Sequence, residues 1–448
     1  MRIAVIGAGI VGITSAFELA SDGHHVTVFE RCGSVAAEAS FANAGVIAPG
    51  YVTPWASPGM PAKVLRHLLS RHAPVRLNAS LDAATLAWIW KWWRACRLKT
   101  FEANRARMQR LAVFSRDRLH TLTRAMQLDY ERCEGYLVLL RSEADQAAVQ
   151  PGLKVLGELG VKFDALSPLQ CRVVEPGLSP DTPLHGGIYL PDGEVANCRQ
   201  FAHLLRVQAQ RLGVRFRFHT QVQRIVPGPR PQLVRLYSPP EESNPATLNA
   251  DAAHSDNAST RPIPFEPITE TFDALVVCAA MGASALLRPH GLKLPLAPVY
   301  GYSVTAPLRR FEAHPDSGPR SALMDERYKV AISRLGNRVR VAGSAELGGA
   351  PTQHNAAAIA TLYKVLHDWF PGVARLGQAQ LWKGARPMLP DGPPVLGKSG
   401  IDGVWVNLGH GSSGWALSCG SARLVADLVA GRTPSIDMDG LGIERLIR

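Results

Sequence analysis

The spacing of hydrophobic residues changes its period twice within the first thirty positions of this chain. Residues 2–6 are a short apolar run of strand type, residues 13–21 place apolar side chains at helical spacing, and residues 26–29 are a second apolar run. Three glycines interrupt the pattern where the first run gives way to the helix. The sequence therefore predicts a β-α-β unit with a tight glycine turn at its first junction.

The glycine turn, Gly7-Ala-Gly-Ile-Val-Gly12, has the spacing of a dinucleotide-binding fingerprint. Gly7 permits the turn, Gly9 lets the backbone approach a pyrophosphate, and Gly12 lets helix and strand pack closely. The N–H groups at the helix start face the phosphates, and Glu30 can accept hydrogen bonds from a ribose. Because all these parts occur together, the pattern predicts nucleotide binding; a plain glycine turn in a doubly wound sheet is the alternative.

The same residues resemble a secretory signal, since Met1-Arg2 precedes an apolar run that ends near Ala16. A single charge at the start, the three glycines, Glu18 within the helix and a strand pattern resuming at Val26 favour a mature strand instead. We expect no targeting peptide.

The rest of the chain has the size and patterning of two domains, because 448 residues exceed what one core usually supports. Strand patterns at 294–306, 328–333 and 338–343 predict a second, larger sheet, whereas the buried run 272–282 returns to the nucleotide sheet. Residues 239–270 are rich in Pro, Ser, Thr, Asn, Asp and Ala and bury too little apolar surface to fold. They are interpreted as a disordered or loosely packed insertion between two hairpin strands.

Two further segments have less regular patterns. Residues 63–128 are predicted to be helical, with little glycine or proline, and residues 384–392 are predicted to be a turn-rich loop.

Charge and cysteine content narrow the class of protein. The net charge of +12 arises from 49 Lys and Arg against 37 Asp and Glu, but no nucleic-acid module is recognisable, so no nucleic-acid partner is expected. Seven dispersed cysteines without a C-x-x-C pair indicate reduced thiols in the cytoplasm and no metal site. No apolar run of about 18 residues lacks charges, so no transmembrane helix is expected.

Four tryptophans occur within six residues, at 88, 90, 92 and 93, among lysines and arginines. Indole rings prefer the membrane interface and basic residues attract anionic lipids, so the cluster is compatible with peripheral association with the inner face of the cell membrane. Buried packing between helices, with a solvated basic surface, is the alternative.

Several segments together carry a resemblance to one family. The chain resembles the FAD-dependent D-amino-acid oxidase and glycine oxidase superfamily, and most closely the bacterial D-amino-acid dehydrogenases of the small-subunit type. The segments that carry the resemblance are residues 1–30, 40–55, 294–302, 325–346, 384–392 and 407–431.

The resemblance implies that FAD accepts a hydride from the Cα of a D-amino acid such as D-alanine. The imino acid product is then hydrolysed to a 2-oxo acid and ammonia, and the electrons pass to a quinone or another carrier. Two alternatives stay open: an oxygen-using oxidase of the same superfamily that prefers glycine, sarcosine or D-proline, and a non-catalytic nucleotide-binding protein.

Three residues are implied to act on the substrate or the flavin. Arg386, in Gly384-Ala-Arg-Pro387, matches the arginine that pairs with the substrate carboxylate, a task that suits a guanidinium fork. Tyr328, expected to open a strand, matches the tyrosine that holds the same carboxylate, and His410 is implied to assist the charge on reduced flavin. A surface salt bridge for Arg386, packing for Tyr328 and a structural role for His410 are the alternatives.

The resemblance also implies the residues that bind FAD, with Asn43–Gly45 bordering the isoalloxazine ring and Val222 offering backbone to the adenine end. The N-terminus of the helix after residues 409–414 is expected to stabilise negative charge on the reduced flavin. The full predicted set is Ile6, Gly7, Gly9, Ile10, Val11, Gly12, Glu30, Arg31, Ser40, Asn43, Ala44, Gly45, Val222, Ala279, Gly282, Gly409, Gly411, Ser412, Ser413, Gly414 and Trp415.

The predicted fold class is α/β, a two-domain flavoprotein with a Rossmann-like FAD-binding domain and a substrate domain built on a large, mostly antiparallel sheet with helices. The FAD-binding domain is assigned to residues 1–55, 196–238, 271–290 and 384–448. The substrate domain is assigned to residues 56–195 and 291–383, with the insertion at 239–270.

Overall fold

A computed structural model describes residues 1–67, 70, 72–78, 82–158, 160–237, 266–309 and 317–447. The strands are β1 Arg2–Ile6, β2 His25–Phe29, β3 Val46–Ile47, β4 Val75–Leu77, β5 Arg132–Leu140, β6 Asp164–Leu166, β7 Gly186–Ala196, β8 Arg215–Arg217, β9 Thr220–Val226, β10 Gln232–Tyr237, β11 Ile268–Thr271, β12 Ala274–Val277, β13 Ala297–Pro307, β14 Ala322–Asp325, β15 Val330–Leu335, β16 Arg338–Leu347, β17 Gln380–Met388, β18 Val395–Lys398 and β19 Val404–Leu408. The α-helices are α1 Ile10–Ser21, α2 Met60–His67, α3 Ala83–Ala95, α4 Leu98–Ala125, α5 Glu143–Glu158, α6 Pro168–Val174, α7 Cys198–Arg211, α8 Ala283–Leu287, α9 Ala356–Trp369, α10 Gly414–Val429 and α11 Glu444–Ile447.

A six-stranded sheet contains the N-terminal strand at its centre, in the order β18-β19-β12-β1-β2-β8. All neighbouring strands are parallel except β18, which is antiparallel to β19. Strands β1 and β12 are nearly continuous apolar runs because both faces of the sheet are covered. Helices α1, α7 and α10 pack on one face, and strands β9 and β10 with helix α8 pack on the other. This sheet is the predicted Rossmann-like unit, and the return of residues 272–282 to it is confirmed.

The glycine turn between β1 and α1 is tightly packed. Gly7 has a left-handed φ of +102°, and a Cβ there would lie 2.8 Å from the Cys278 carbonyl oxygen. A Cβ at Gly12 would collide with the Gly7 carbonyl oxygen. Only glycine therefore allows β1, α1 and the end of β12 to approach this closely.

A ten-stranded sheet forms the second layer, in the order β17-β13-β16-β15-β14-β5-β7-β3, with β4 beside β16 and β6 beside β7. Only the β14–β5 and β16–β4 pairs are parallel, so the prediction of a mostly antiparallel sheet is confirmed. Helix α9 covers one face, where its apolar side packs on Tyr302, Val304 and Val341.

Several sequence predictions are wrong in detail. Residues 384–388 are part of strand β17, so Arg386 lies on a regular strand instead of a turn-rich loop. The predicted helical stretch 63–128 contains the short strand β4.

A separate three-stranded sheet has the order β11-β10-β9.

The predicted insertion 239–270 lies outside the described residues as far as position 265. Strands β10 and β11 are antiparallel partners, with Gln232 opposite Thr271, so the segment does connect two paired strands. Its predicted end at Glu270 is wrong, because β11 already begins at Ile268.

The tryptophan cluster lies on α3 and divides between two environments. Trp88 and Trp92 are buried against β13, whereas Trp90 and Trp93 are 56% and 51% exposed, with ring centroids 5.0 Å apart. Packing therefore explains two of the four rings only. Within the described ranges, no helix is long and apolar enough to cross a membrane.

Candidate functional site

Two helix N-termini lie side by side at the carboxyl ends of the parallel strands. Thr14 Oγ1, in the fifth residue of α1, donates a hydrogen bond to the carbonyl of Ser418, the fifth residue of α10, at 3.2 Å. Neither helix has an acidic residue in its first turn or a capping side chain at its N-cap. Their aligned N–H groups and positive dipole ends therefore suit an anionic ligand.

Gly9 leaves open space at the start of α1. A Cβ at this position would approach only the Ser40 hydroxyl, at 3.5 Å, in contrast to the crowding at Gly7 and Gly12. Ser40 Oγ also accepts a hydrogen bond from the Ile10 N–H at 3.1 Å, which fixes the loop beside the helix end. This opening is where the fingerprint predicts a pyrophosphate.

Glu30 ends the second strand and is almost buried. Its two carboxylate oxygens accept hydrogen bonds from the N–H groups of Ala8, at 2.7 Å, and Cys32, at 2.8 Å. Since each carboxylate oxygen has a second lone pair, the group can still accept from ribose hydroxyls.

The other predicted contacts of the nucleotide are close to these elements. Ala279 and Gly282 belong to the turn after β12, beside Gly7, and Val222 on β9 packs against the cluster that contains Ile6 and Phe29. Ile6 and Ile10 bury their side chains in the core and Val11 is partly buried against it, so they offer backbone groups to a ligand. Arg31 is half exposed and pairs with Glu38.

The loop Asn43–Gly45 is anchored by all three of its carbonyl groups. The Asn43 carbonyl accepts from Arg340 Nη1 at 2.9 Å, that of Ala44 from Ser333 Oγ at 2.7 Å, and that of Gly45 from the Ala196 N–H at 2.8 Å. Because every anchor belongs to the ten-stranded sheet or its end, the loop joins the nucleotide layer to the second sheet.

Arg386 lies on β17 opposite Val299, and its guanidinium rests where a Cβ of Gly301 would be. Its Nη1 donates to the Ser344 carbonyl at 2.9 Å, and no Asp or Glu in the described part of the chain lies within ion-pair distance. Burial lowers the Arg386 pKa to about 10, so the group stays cationic at neutral pH. A partly buried cation without an acidic partner is suited to a carboxylate ligand.

Arg386 and the second glycine loop share one neighbourhood. Met388, two residues after Arg386 on β17, forms an antiparallel bridge with His410. The start of α10 therefore lies next to the end of the strand that carries the arginine.

Tyr328 lies away from this neighbourhood. It belongs to the turn between β14 and β15, so the prediction that it opens a strand is wrong. Its ring lies under the Arg141 guanidinium, 5.0 Å from the centroid, and packs on the α9 side of the sheet with Tyr302. Neighbouring strand residues point to opposite faces, so Gly301 and Arg386 face away from that side. The carboxylate-binding role of Tyr328 stays a prediction that this geometry does not favour.

His410 is buried and its Nε2 lies 3.0 Å from Ser421 Oγ. Burial lowers the His410 pKa to about 3, so the ring is neutral at physiological pH and offers no positive charge to a reduced flavin. Its geometry fits the structural alternative better than the predicted catalytic role.

The rest of the second glycine loop leads directly into α10. Gly409 and Gly411 have left-handed φ values of +78° and +55°, and Gly411–Ser413 form one 3-10 turn that ends at Gly414. Trp415 is buried against Tyr130 and Phe201 in the core, so its side chain supports the helix start.

Three residues that shape this site were not predicted from the sequence. Gly301 makes room for the Arg386 guanidinium, and a glycine inside a strand signals such close approach. Arg340 is a charge within the apolar run of β16, a pattern that indicates a buried function. Ser344, whose φ is +57°, carries no comparable signal in the sequence.

FAD fits these residues. The starts of α1 and α10, which have no acidic residue in the first turn, suit its pyrophosphate and the electron-rich end of its ring, and Glu30 suits its ribose. Arg386 adds a cation beside the α10 start, and its guanidinium suits a carboxylate.

Comparison with known proteins gives the same assignment. The family model described as "DAO: FAD dependent oxidoreductase" matches residues 2–428. A D-amino acid dehydrogenase of Cereibacter sphaeroides is 42% identical over 448 residues, covering 99% of this chain and 95% of the relative. A D-amino acid dehydrogenase of Bradyrhizobium diazoefficiens is 38% identical over 447 residues and covers 99% of each chain.

Among solved structures, glycine oxidase from Geobacillus kaustophilus superposes with a TM-score of 0.72 at 21% identity and covers 100% of both chains. At that identity the likeness shows the two-domain fold alone. The matched family and the relatives confirm the resemblance and the FAD prediction, and the chain belongs to the DAO family of FAD-dependent oxidoreductases.

Proposed function

We propose that this protein is an FAD-dependent dehydrogenase that oxidises D-amino acids to 2-oxo acids and ammonia. The observation that carries the proposal is the partly buried Arg386 guanidinium beside the start of α10, which pairs with no Asp or Glu among the described residues. The names of the two relatives, both D-amino acid dehydrogenases that match nearly the whole chain, support the choice of substrate.

Arg386 binds and orients the substrate. Its planar fork holds the carboxylate by parallel hydrogen bonds, and partial burial strengthens them because less water competes. Bound FAD supplies the hydride acceptor at flavin N5. The protein's contribution is to hold the Cα–H bond in line with that acceptor, which removes much of the entropic part of the barrier.

The first turn of α10 stabilises negative charge near the pyrimidine end of the cofactor. His410, neutral and hydrogen-bonded to Ser421, keeps the preceding loop in place. We further propose that the predicted residues of the fingerprint, of the loop 40–45 and of the turn 279–282 hold FAD.

We propose that the electrons pass to a quinone or another carrier instead of to oxygen, in line with the relatives' name of dehydrogenase. An aerobic assay with and without an artificial acceptor tests this choice. Turnover that needs the added acceptor supports the dehydrogenase, and rapid peroxide formation without it supports the oxidase alternative.

The reaction class is tested by anaerobic bleaching of the flavin absorbance with D-alanine, D-proline, glycine and L-alanine in parallel. We expect D-alanine to bleach the flavin and L-alanine to leave it oxidised. A bound flavin that no amino acid bleaches would contradict the substrate assignment while preserving the cofactor.

We also propose that the exposed face of α3 docks on an anionic membrane surface. Trp90 and Trp93 are accompanied by Leu86, also on α3, and by Leu98, the first residue of α4, which are 53% and 60% exposed. Exposed basic residues surround these side chains, namely Lys91, Arg94, Arg97 and Lys99. Exposed indoles beside cations are suited to the lipid interface, and the inner face of the cell membrane is the proposed location.

The double variant Trp90→Ala/Trp93→Ala should bind phosphatidylglycerol vesicles at least about tenfold more weakly, because it lacks the indole surface that the lipid would bury. Co-sedimentation at low salt measures this, with activity toward a soluble acceptor unchanged. Leu169→Ala/Val173→Ala on α6 is the matched control, since those side chains are 74% and 68% exposed elsewhere. Equal binding by both double variants would contradict the docking face.

The predicted division into two domains is retained as a proposal, supported by the two large sheets. The proposed domains meet at β3 and β17. Strand β3 and most of β17 lie in segments assigned to the FAD-binding domain, but both strands pair within the ten-stranded sheet of the substrate domain.

A further inference from the structure

Three neighbouring strands of the ten-stranded sheet carry a row of buried polar residues. Arg340 on β16 is opposite Thr305 on β13 and opposite Ser333 on β15. Arg340 Nε donates to Thr305 Oγ1 at 2.9 Å, and all three residues are at most 7% exposed. Polar groups this deeply buried need a reason beyond packing, because burying them costs free energy.

The row holds the loop that the family resemblance places against the flavin. Arg340 Nη1 and Ser333 Oγ donate to the consecutive carbonyls of Asn43 and Ala44. The Asn43 side chain in turn accepts from the Gly45 N–H at 2.9 Å, so the loop has one fixed conformation.

The charge of Arg340 is not neutralised locally. Its hydrogen-bond acceptors, Thr305 and the Asn43 carbonyl, are neutral, and it forms no ion pair with an acidic group in the described residues. Glu131, the nearby acid, is already paired with Arg338 at 2.6 Å.

Two other groups near Arg340 do not offset its charge. The Arg199 guanidinium lies 4.1 Å from the centroid of the Phe41 ring and is itself cationic. Burial raises the pKa of the Cys198 thiol to about 12, so that group is neutral. Burial lowers the Arg340 pKa to about 10, which still leaves it protonated at neutral pH.

We propose that Arg340 is a positioning residue for the flavin, which fixes the Asn43 carbonyl and favours electron uptake through its unpaired positive charge behind the loop. The proposal rests on the proposed function, in which FAD lies against Asn43–Gly45. A fixed cation in a poorly solvated site stabilises added negative charge far more than it would in water.

The test measures the reduction equilibrium of bound FAD against a reference dye under anaerobic conditions. Arg340→Gln should retain FAD and lower the equilibrium constant for two-electron reduction at least about tenfold, which corresponds to about 30 mV. Arg338→Gln is the matched control, two residues along the same strand, and should change the constant by less than about twofold because Glu131 already neutralises Arg338.

Two further variants separate charge from position. Arg340→Lys keeps the cation and should stay within about threefold of the wild-type constant. Ser333→Ala releases the Ala44 carbonyl without changing charge, so it should raise KM for D-alanine and leave the reduction constant within about twofold.

An unchanged reduction constant in Arg340→Gln would overturn the proposal, and so would a tenfold fall in Arg340→Lys. The dye measurement needs no amino acid, so it separates failure of this proposal from failure of the proposed function. In that case the wild-type flavin would still equilibrate with the dye but would not be bleached by D-alanine.

Discussion

Replacing Arg386 by alanine is expected to leave FAD bound and to lower kcat/KM for D-alanine at least about a hundredfold. The Arg386 guanidinium lies opposite Val299 on β13 and pairs with no Asp or Glu among the described residues, so its removal leaves no acidic side chain unpaired. Removing it leaves the substrate carboxylate without a counterion in a partly desolvated site, which is costly for a charge.

Steady-state kinetics and the absorbance of the bound flavin measure the two parts of this expectation. Arg386→Lys is the informative companion, because it keeps the charge but loses the planar fork, and it should fall between alanine and the wild type. A variant with alanine and near-normal kinetics would falsify the assignment of Arg386 to the substrate.

The structural context of Arg386 shows which information the sequence contains. The motif Gly384–Pro387 is sufficient to select the arginine by resemblance. The prolines and glycines of residues 384–392, however, favour a loop. The segment is a strand because nine consecutive residues pair with β13, a long-range contact that local turn propensity cannot report.

The N-terminal unit is the opposite case. Its strand, helix and second strand are specified by local periodicity, and the structure has them at residues 2–6, 10–21 and 25–29. Local and long-range preferences agree here, since β1 and β2 are also neighbours in the sheet.

Side-chain direction was the least predictable property of the site. Tyr328 is the first residue of the predicted strand 328–333, but the turn that contains it directs its ring toward Arg141 and α9. His410 follows a glycine loop that suggests ligand contact, yet its ring points into the protein toward Ser421. In both cases the tertiary packing of a neighbouring helix decides the orientation.

The two sheets contribute different properties to one site. The six-stranded sheet brings two helix N-termini together, and the ten-stranded sheet contributes Arg386 and the anchors of the loop Asn43–Gly45. In the proposed function, substrate binding and cofactor placement both depend on this mostly antiparallel sheet. A substitution there can alter the alignment of the reacting atoms without touching either ligand.

The glycine fingerprint should separate folding from cofactor binding when its members are changed singly. Gly12→Ala is expected to destabilise the apoprotein by about 3 kcal/mol or more, because its methyl group would collide with the Gly7 carbonyl and neither backbone segment has room to move. Gly9→Ala should leave the apoprotein nearly as stable as the wild type, since Gly9 has φ −66° and open space around it.

The same Gly9 variant should weaken FAD binding at least about a hundredfold, or roughly 3 kcal/mol, because the methyl group occupies the space that the pyrophosphate needs. Urea unfolding of the apoproteins and fluorescence titration with FAD measure the two effects separately. Wild-type FAD affinity in Gly9→Ala would show that the pyrophosphate does not approach this backbone. Equal stability of the Gly9→Ala and Gly12→Ala apoproteins would show that the turn does not confine Gly12.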